Sequence, residues 1–341
     1  MNLRAFPIRL AFLWCKTVSP MKVPKRLVLL VFAALLAPSC STSAPVEKSP
    51  VSGKLALEHV KKMVSYGPHP AGSAALLRVR DYIRGELRKM GLKPELDSFT
   101  SDKAKGIQFH NIVCRIPGTR KGEKRVLLLA SHYDSKKTQG HPLPEQNFRF
   151  VGANDGGSSS GLLLEVARYL KAHPLPVEVR CVWFDGEESI PFDWGEGEMA
   201  MFGSKHYIKK LRKEFPKEKD VVEFVPVMIL LDMVGAKDLS ISLDTNSDME
   251  LVRIVANTAK RLGYQKYFFR EKTQVTDDHI PFQNYGISVL DLIQFGGERT
   301  GTPTWWHTER DDLTILSAKS LEIVGHTLVR SLPDVVKKFY K

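Results

Sequence analysis

Cysteine is scarce in this sequence of 341 residues, which has four, and only Cys114 and Cys181 lie beyond residue 40. This scarcity excludes a disulfide-dense scaffold. Both cysteines lie in apolar, strand-like runs, a placement typical of ordinary core residues. Because spacing does not show how close their Cβ atoms lie, a bond between them stays open.

A long hydrophobic run is also missing. The run LVLLVFAALLA at residues 27–37 is too short to cross a bilayer as an ordinary helix. It follows three basic residues and so has the form of an export signal, with Met21 as an alternative start. The run ends in LAPSC, which resembles a bacterial lipobox ending at Cys40. Pro38 departs from that pattern and leaves ordinary signal-peptidase cleavage open.

These N-terminal features predict three segments. Residues 1–40 are expected to be a signal peptide of the lipoprotein type, residues 41–53 a flexible polar tether, and residues 54–341 one folded domain. We therefore expect an exported protein, a lipoprotein of the bacterial periplasm or cell envelope. Its only membrane contact would be a lipid on Cys40.

A concentrated block of basic residues is absent as well. The formal net charge is +12, but residues 1–40 contribute six positive charges and no acid, so the rest of the chain carries +6. Nucleic-acid binding needs basic residues gathered on one face. No nucleic-acid partner is therefore expected.

The order of apolar patterns predicts a single α/β domain. Two stretches with helical spacing come first, and short, nearly continuous apolar runs then alternate with amphipathic patterns. Such runs are typical of strands buried on both faces. We predict a central, largely parallel mixed β-sheet flanked by helices. The predicted strands are HNIVCRI, RVLLLAS, VEVRCVWF, VPVMILL and ISVLDLI.

Acidic or imidazole side chains follow most of these runs, and a glycine-rich loop, GANDGGSSSG, adds another carboxylate ahead of a helix. Ligands of open α/β sheets bind outside the carboxyl ends of the strands, so these side chains are predicted to meet at one edge. The residues are His132, Asp155, Glu187, Glu188, Asp232 and His307.

The adjacent pair Glu187 and Glu188 in VWFDGEES has two interpretations. The simpler one is an exposed turn, because a buried carboxylate is costly unless something compensates its charge. However, His, Asp and Glu without thiolate are the ligand set of a catalytic zinc, and a dication offsets the cost of gathering carboxylates. One glutamate can then ligate the ion while its neighbour transfers protons.

Six strings occur in an order that resembles a known family: SHYDSK, GANDGGSSSG, FDGEES, LLDMVG, DDHIPF and WWHT. The order is that of zinc aminopeptidases with a pair of metal ions, and the strings are still more similar to the animal-type glutaminyl cyclases, which share that fold. The resemblance extends from Gly67 to the end. It implies that residues 54–341 form a zinc-dependent catalytic domain. That domain would convert the N-terminal glutamine of peptides or proteins to pyroglutamate with release of ammonia.

The resemblance also implies roles for single residues. Asp155, Glu188 and His307 match the ligands of the one zinc ion expected in the cyclases. Glu187 matches the general acid/base, the group that accepts and returns a proton during the reaction.

Asp232 and Asp277 match acidic residues that hydrogen-bond around this acid/base, and Trp194 and Trp306 match aromatics that line a small substrate pocket. The loop SIPFDWGEGEMAM around Trp194 departs from the family pattern in length and acidity. His132 and Asp232 match positions that hold a second metal ion in the aminopeptidases, with a bridging carboxylate.

A zinc aminopeptidase with two ions is therefore the main alternative, in which Glu187 would activate water and the N-terminal residue would be released. Trp306 directly before His307, and DDHIPF in place of SDH, favour the cyclase. A serine hydrolase is a remote alternative. Residues 157–161 fit G-x-S-x-G around Ser159, but the preceding segment is a poor strand. An inactive binding module would be expected to have lost ligands.

Several neighbouring residues are predicted to be structural. We expect Asp134 to orient His132 rather than bind a metal ion. Those expected to pack, close a turn or hydrogen-bond in the core are Tyr133, Trp183, Asp185, His279 and Trp305.

Overall fold

A six-stranded mixed β-sheet lies at the centre of the computed structural model, which describes residues 47–193, 198–214, 218–297 and 300–341. The strands in chain order are β1 (Pro94–Thr100), β2 (Gln108–Ile116), β3 (Val126–His132), β4 (Glu178–Phe184), β5 (Val227–Asp232), β6 (Ile241–Asp244), β7 (Phe268–Thr273) and β8 (Ser288–Ile293). The central order is β1-β2-β4-β3-β5-β8, while β6 and β7 form a separate small sheet. Strands β4, β3, β5 and β8 run parallel to one another, whereas β1 and β2 are antiparallel additions at one edge.

Helices cover both faces of the central sheet. They are α1 (Gly53–Val64), α2 (Ala74–Lys89), α3 (Gly157–Ala172), α4 (Phe202–Glu214), α5 (Glu218–Phe224), α6 (Met249–Arg261), α7 (Ile280–Gln283) and α8 (Ala318–Phe339). Within the described ranges no helix is both long and apolar enough to cross a membrane.

Alternate residues of each central strand face opposite layers, as the two-residue period of a strand requires. In β5, Ile229 and Leu231 pack with α1, α2, α3, α6 and α8, whereas Met228 and Leu230 pack with α4, α5 and α7. Burial on both faces explains why the strand sequences are almost continuously apolar. The predicted α/β fold with a largely parallel mixed sheet is confirmed, and all five predicted strands are present.

Sequence patterns did not indicate β1 or the small β6–β7 sheet. Strand β1 has only one buried residue, Asp97, so it lacks the apolar pattern of a buried strand. Its position is determined by pairing with β2 along all seven residues.

The folded domain begins earlier than predicted. Val51 is only 2% exposed, and Ser52 accepts a hydrogen bond from the backbone N–H of Leu55 at the start of α1. A side chain at Gly53 would collide with the backbone oxygen of Ala318 in α8. Residues 51–53 therefore belong to the folded domain, and the predicted boundary between tether and domain at residue 53 lies too far along the chain. The predicted signal segment lies outside the described residues.

Cys114 in β2 lies directly opposite Cys181 in β4 across the antiparallel pair. Both are fully buried free thiols, so they are core residues in this structure.

The C-terminus is tied to the far end of the sheet. Tyr340, just after α8, is buried and donates its hydroxyl to the backbone oxygen of Val126 at the start of β3 (2.9 Å). The guanidinium of Arg125 donates to the backbone oxygen of Tyr340 (3.1 Å). This junction lies at the opposite end of β3 from His132.

Candidate active site

The carboxyl ends of β3, β4 and β5 meet at one edge of the sheet and bring the predicted polar residues together. His132 ends β3, Asp232 ends β5, and Glu187 follows the end of β4. Asp155 lies in the turn before α3. The next residue, Gly156, has φ +77°, and an added Cβ would lie 2.8 Å from the ring of His132. Only glycine allows the turn to approach so closely.

Glu187 and Glu188 are both buried, with 5% and 2% of their surface exposed. The exposed-turn interpretation is therefore wrong. Their burial needs a compensating cation or proton, because two neighbouring buried carboxylates are costly when ionised.

Asp155, Glu188 and His307 form one group of metal-type ligands. The Nε2 atom of His307 lies 3.4 Å from Asp155 Oδ2 and 3.4 Å from Glu188 Oε1. Two bonds of about 2.0 Å at a tetrahedral zinc would separate their ligand atoms by about 3.3 Å. Asp155 Oδ2 and both oxygens of Glu188 are buried without a hydrogen-bond partner in the structure. The donor set and its spacing therefore fit a divalent cation such as zinc.

The charges of this group are strongly coupled. Burial lowers the pKa of His307, but the carboxylates of Glu188 and Asp155 outweigh it and raise that pKa to about 9. Burial opposes ionisation of Asp155, yet His132 and His307 hold the pKa of Asp155 well below its usual range. A cation would take the place of the proton on the imidazole, since metal ligands must be deprotonated.

A second group shares Asp155 with the first and adds His132 and Asp232. The Nε2 atom of His132 lies 3.2 Å from Asp155 Oδ1 and 3.2 Å from Asp232 Oδ1. Burial disfavours the imidazolium, but Asp134, Asp155 and Asp232 together raise the pKa of His132 well above its usual value. These residues can thus neutralise one another or hold a second ion.

Glu187 borders both groups without joining either. Burial, followed by the nearby charge of Asp277, raises the pKa of Glu187 well above its usual value, although His132 opposes the shift. Burial and the carboxylates of Asp232 and Asp278 raise the pKa of Asp277 in the same direction. A raised pKa brings a carboxyl group closer to the range in which general acid–base catalysis is efficient.

A cavity of about 290 Å³ lies against this cluster. Its polar wall includes Asp155, Glu187, Asp232 and Asp277, and its apolar wall is formed by Met233, Val275, Ile293, Phe295 and Trp306. The indole of Trp306 stacks on the ring of His307, with centroids 4.0 Å apart, and meets Phe295 edge-on at 5.0 Å.

Two residues of the cavity have left-handed backbone conformations that are unusual for non-glycine residues. They are Met233, with φ 48°, and His307, with φ 50°. Such conformations cost of the order of 1 kcal/mol or more and concentrate at functional sites. Here they turn the chain directly after Asp232 and directly after Trp306.

Two buried aspartates lie behind the ligands. Asp134 accepts hydrogen bonds from the backbone N–H groups of Glu187 (3.1 Å) and Glu188 (3.2 Å), and lies 3.5 Å from Nδ1 of His132. Asp311 accepts from the backbone N–H groups of Asn154 (2.6 Å) and Asp155 (3.0 Å). Burial and the charge of Asp155 raise the pKa of Asp311, while its two backbone N–H donors lower it.

Some predicted site residues are not in this constellation. Trp194 lies outside the described residues. Ser159 is buried in the first turn of α3, and its hydroxyl donates to the backbone oxygen of Gly156 (3.2 Å). No strand leads directly into this helix, because residues 147–156 contain none. It therefore lacks the strand–turn–helix context of a nucleophilic serine.

The third group with metal-type spacing is Asp244, His279 and Asp291. The Nε2 atom of His279 faces Asp244 at 3.0 Å, and its Nδ1 atom faces Asp291 at 3.6 Å. Because the carboxylates face different ring nitrogens, the arrangement is a histidine bridging two aspartates, which agrees with the structural role expected for His279.

Sequence patterns missed several residues that shape the site. Lys136 donates to the hydroxyl of Ser189 (2.7 Å) and to the backbone oxygen of Phe192 (2.8 Å), and lies 3.7 Å from Glu188. Asp185 is not a simple turn residue, because it is buried, and burial raises its pKa to about 8. Lys136 lies within SHYDSK, and Asp311 lies four residues after His307. Their closeness to the recognised motifs was therefore the only feature of the sequence that could have pointed to them.

The site has the features of a metallo-exopeptidase-type centre on an α/β sheet, and comparisons agree with that class. Peptidase family M28 matches residues 111–332, so the chain belongs to this family. It is 30% identical over 264 residues to a glutaminyl-peptide cyclotransferase-like protein of Bos taurus. That match covers 70% of this chain and 65% of the bovine protein's own length.

Solved structures of glutaminyl cyclases and of a zinc-dependent exopeptidase have a similar fold. A glutaminyl cyclase of an Acidobacteriales bacterium aligns with a TM-score of 0.74 and 30% identity, covering 87% of this chain and all of that one. A Zn-dependent exopeptidase from Parabacteroides distasonis aligns with a TM-score of 0.71 and 25% identity, covering 85% of this chain and 99% of that one. The predicted resemblance to glutaminyl cyclases within the zinc aminopeptidase-like family is confirmed.

Proposed function

We propose that this chain is a zinc-dependent glutaminyl-peptide cyclotransferase, which converts N-terminal glutamine of peptides or proteins to pyroglutamate and ammonia. The observation that carries the proposal is the placement of Glu187. It lies buried beside the group of Asp155, Glu188 and His307, in a cavity with an aromatic wall. The similarity to glutaminyl cyclases supports the same activity.

Asp155, Glu188 and His307 would hold a single zinc ion in this proposal. The ion would supply Lewis-acid polarisation of the substrate's side-chain carbonyl. The remaining chemistry belongs to the chain itself, which must hold the N-terminal residue and transfer a proton.

Glu187 would transfer that proton. As the α-amine of the substrate forms a bond to the side-chain carbonyl carbon, Glu187 accepts a proton from the amine. It then returns the proton to the departing nitrogen, so that the C–N bond to the side-chain amide breaks and ammonia leaves. A positioned group of this kind contributes about 10²–10⁴-fold to the rate. Burial raises the pKa of Glu187 most, and the nearby charge of Asp277 adds to that shift.

Trp306 and Phe295 would hold the side chain of the N-terminal residue. A cavity of about 290 Å³ suits one small residue. Cyclisation is intramolecular and needs no water as a nucleophile, so an apolar wall that excludes water favours it.

An aminopeptidase is the second candidate, because His132, Asp155 and Asp232 form a further ligand group that shares a carboxylate with the first. With two ions, Glu187 would take a proton from water instead, and the N-terminal residue would be released. The Parabacteroides exopeptidase has a similar fold.

The two candidates differ in their products. A soluble form of the chain beginning after Cys40 would be incubated with a short peptide beginning Gln-Phe and followed by mass spectrometry. Loss of ammonia from an intact peptide, abolished by chelator and by Glu187→Gln, is the expected result. The exposed Glu58→Gln serves as a matched control and should retain activity. Release of free glutamine would instead identify an aminopeptidase.

We also propose that the protein is exported and held at the membrane by a lipid on Cys40. The positive residues, the short apolar run and the LAPSC string support this proposal. Substrates would then be peptides or proteins of the periplasm or cell envelope that begin with glutamine.

A further inference from the structure

The metal-type ligands lie in three separate loops. Contacts outside the ligand group must therefore fix the positions of these loops relative to one another. Asp155 precedes α3, Glu188 follows β4, and His307 lies in the turn before the last helix. None of these ligands lies within a regular helix or strand, so the sheet alone does not fix their directions.

Asp311 connects two of these loops. Its Oδ1 atom accepts from the backbone N–H of Asn154 at 2.6 Å, and its Oδ2 atom accepts from that of Asp155 at 3.0 Å. Its own backbone N–H donates to the oxygen of Thr308 (3.1 Å), and its backbone oxygen accepts from Ala153 (3.3 Å). Every one of these partners lies within two residues of a ligand, Asp155 or His307.

A carboxylate is suited to this task because it has two acceptor oxygens in one plane. Using one oxygen for each of two successive N–H groups fixes both peptide planes, and therefore the direction of the Asp155 side chain. Asp134 makes the same arrangement with Glu187 and Glu188. The side chain of Asp311 is 1% exposed, so water does not compete for its oxygens.

We infer that Asp311 is a positioning residue that holds Asp155 and His307 at the mutual distance that a metal ion requires. The inference rests on the proposed metal site. Asp311 contributes no ligand atom and acts through the backbone of the loop before α3. Hydrogen-bond partners of this kind typically change metal affinity by about 10–100-fold when they are mutated.

Asp311→Asn tests the inference, because the amide replaces one acceptor oxygen by an NH₂ group that faces a backbone N–H. Zinc affinity of the metal-free full chain would be measured by competition with a chelator, together with its melting temperature. We expect affinity to fall about 10–100-fold. Asp312→Asn is the matched control, because that neighbouring carboxylate bonds only to Thr314 among the described residues and should leave affinity unchanged.

A zinc affinity of Asp311→Asn equal to that of the wild type, with only a lower melting temperature, would overturn the inference and leave Asp311 a packing residue. If Asp311→Asn does not fold, Asp311→Ser replaces it in the same affinity measurement. Serine keeps one acceptor oxygen and has no NH₂ group to repel the backbone N–H. A wild-type chain that binds no zinc would instead refute the proposed function. A wild type that binds zinc but does not cyclise glutamine leaves the affinity comparison valid.

Discussion

His132 and Asp232 lie at the ends of neighbouring parallel strands with Nε2 and Oδ1 3.2 Å apart, and both side chains are buried. Burial disfavours the imidazolium, but Asp232, together with Asp134 and Asp155, raises the pKa of His132. A protonated His132 would balance the charge of Asp232 in the absence of a second ion.

We therefore predict one zinc ion per chain. Elemental mass spectrometry of protein dialysed against zinc and then against metal-free buffer should give a ratio near one. His132→Ala should leave that ratio unchanged while lowering activity, because Asp232 loses its partner. A ratio of two that falls to one in His132→Ala would support the aminopeptidase instead.

Trp306→Ala should raise the KM for peptides beginning with glutamine. The indole forms part of the cavity wall and stacks on His307. Loss of an apolar pocket contact costs about 1–3 kcal/mol, or about 10–200-fold in kcat/KM. Trp306→Phe keeps an aromatic face and should lose less. Steady-state kinetics would refute the pocket role if the alanine variant kept the KM of the wild type.

Asp97 should stabilise the fold in a pH-dependent way. It accepts hydrogen bonds from Lys210 (2.9 Å) and contacts His206 (3.3 Å), thereby joining β1 to α4. Burial raises the pKa of Asp97, but these two partners outweigh it and hold that pKa below its usual value. A lowered pKa in the folded state gives stability that is complete above the unfolded pKa, and that is lost as pH falls through the folded pKa.

Asp97→Asn should therefore lower the free energy of unfolding at pH 7 by about 1–2 kcal/mol, since water screens the two partly exposed partners. Urea unfolding at several pH values would show the difference shrinking below about pH 4. Asp81→Asn, whose carboxylate is 57% exposed, should show a much smaller effect. If Asp97→Asn lowered the free energy of unfolding equally at all pH values, the stabilisation by Asp97 would not be electrostatic.

On the proposed lipid attachment, Cys40→Ser should release the protein from the membrane fraction of the cells that produce it. Blotting of membrane and soluble fractions would show the shift, because the lipid is the only predicted anchor. Cys15→Ser is the matched control and should leave the distribution unchanged. A wild type found wholly in the soluble fraction would favour ordinary signal-peptidase cleavage.

Much of the fold was predictable because buried parallel strands have a distinctive sequence. The runs before His132 and Asp232 are continuously apolar, and the polar residue after each marks the edge where the site forms. Strand β1 was not predictable, because its one buried residue is the ion-paired Asp97 rather than an apolar side chain.

The same contrast holds for the site. Glu187, Glu188 and His307 were identified by their motifs, and the structure brings them together. The roles of Asp134 and Asp311 depend on backbone N–H groups of residues distant in sequence, and no side-chain pattern indicates which peptide groups a carboxylate will meet. Hydrogen bonds to backbone groups are thus the part of this site that is hardest to predict from the sequence.

The bond between Tyr340 and the start of β3 closes a long loop of chain. Tyr340 and Val126 are 214 positions apart in sequence, so every residue of the candidate site lies in the segment between them. The entropy lost on closing a loop grows only slowly with its length, so even a span of this size can be closed by the contacts of a folded domain. Loss of this bond would leave every residue of the candidate site in the sequence, but the segment that carries them would lose a contact that fastens its two ends together.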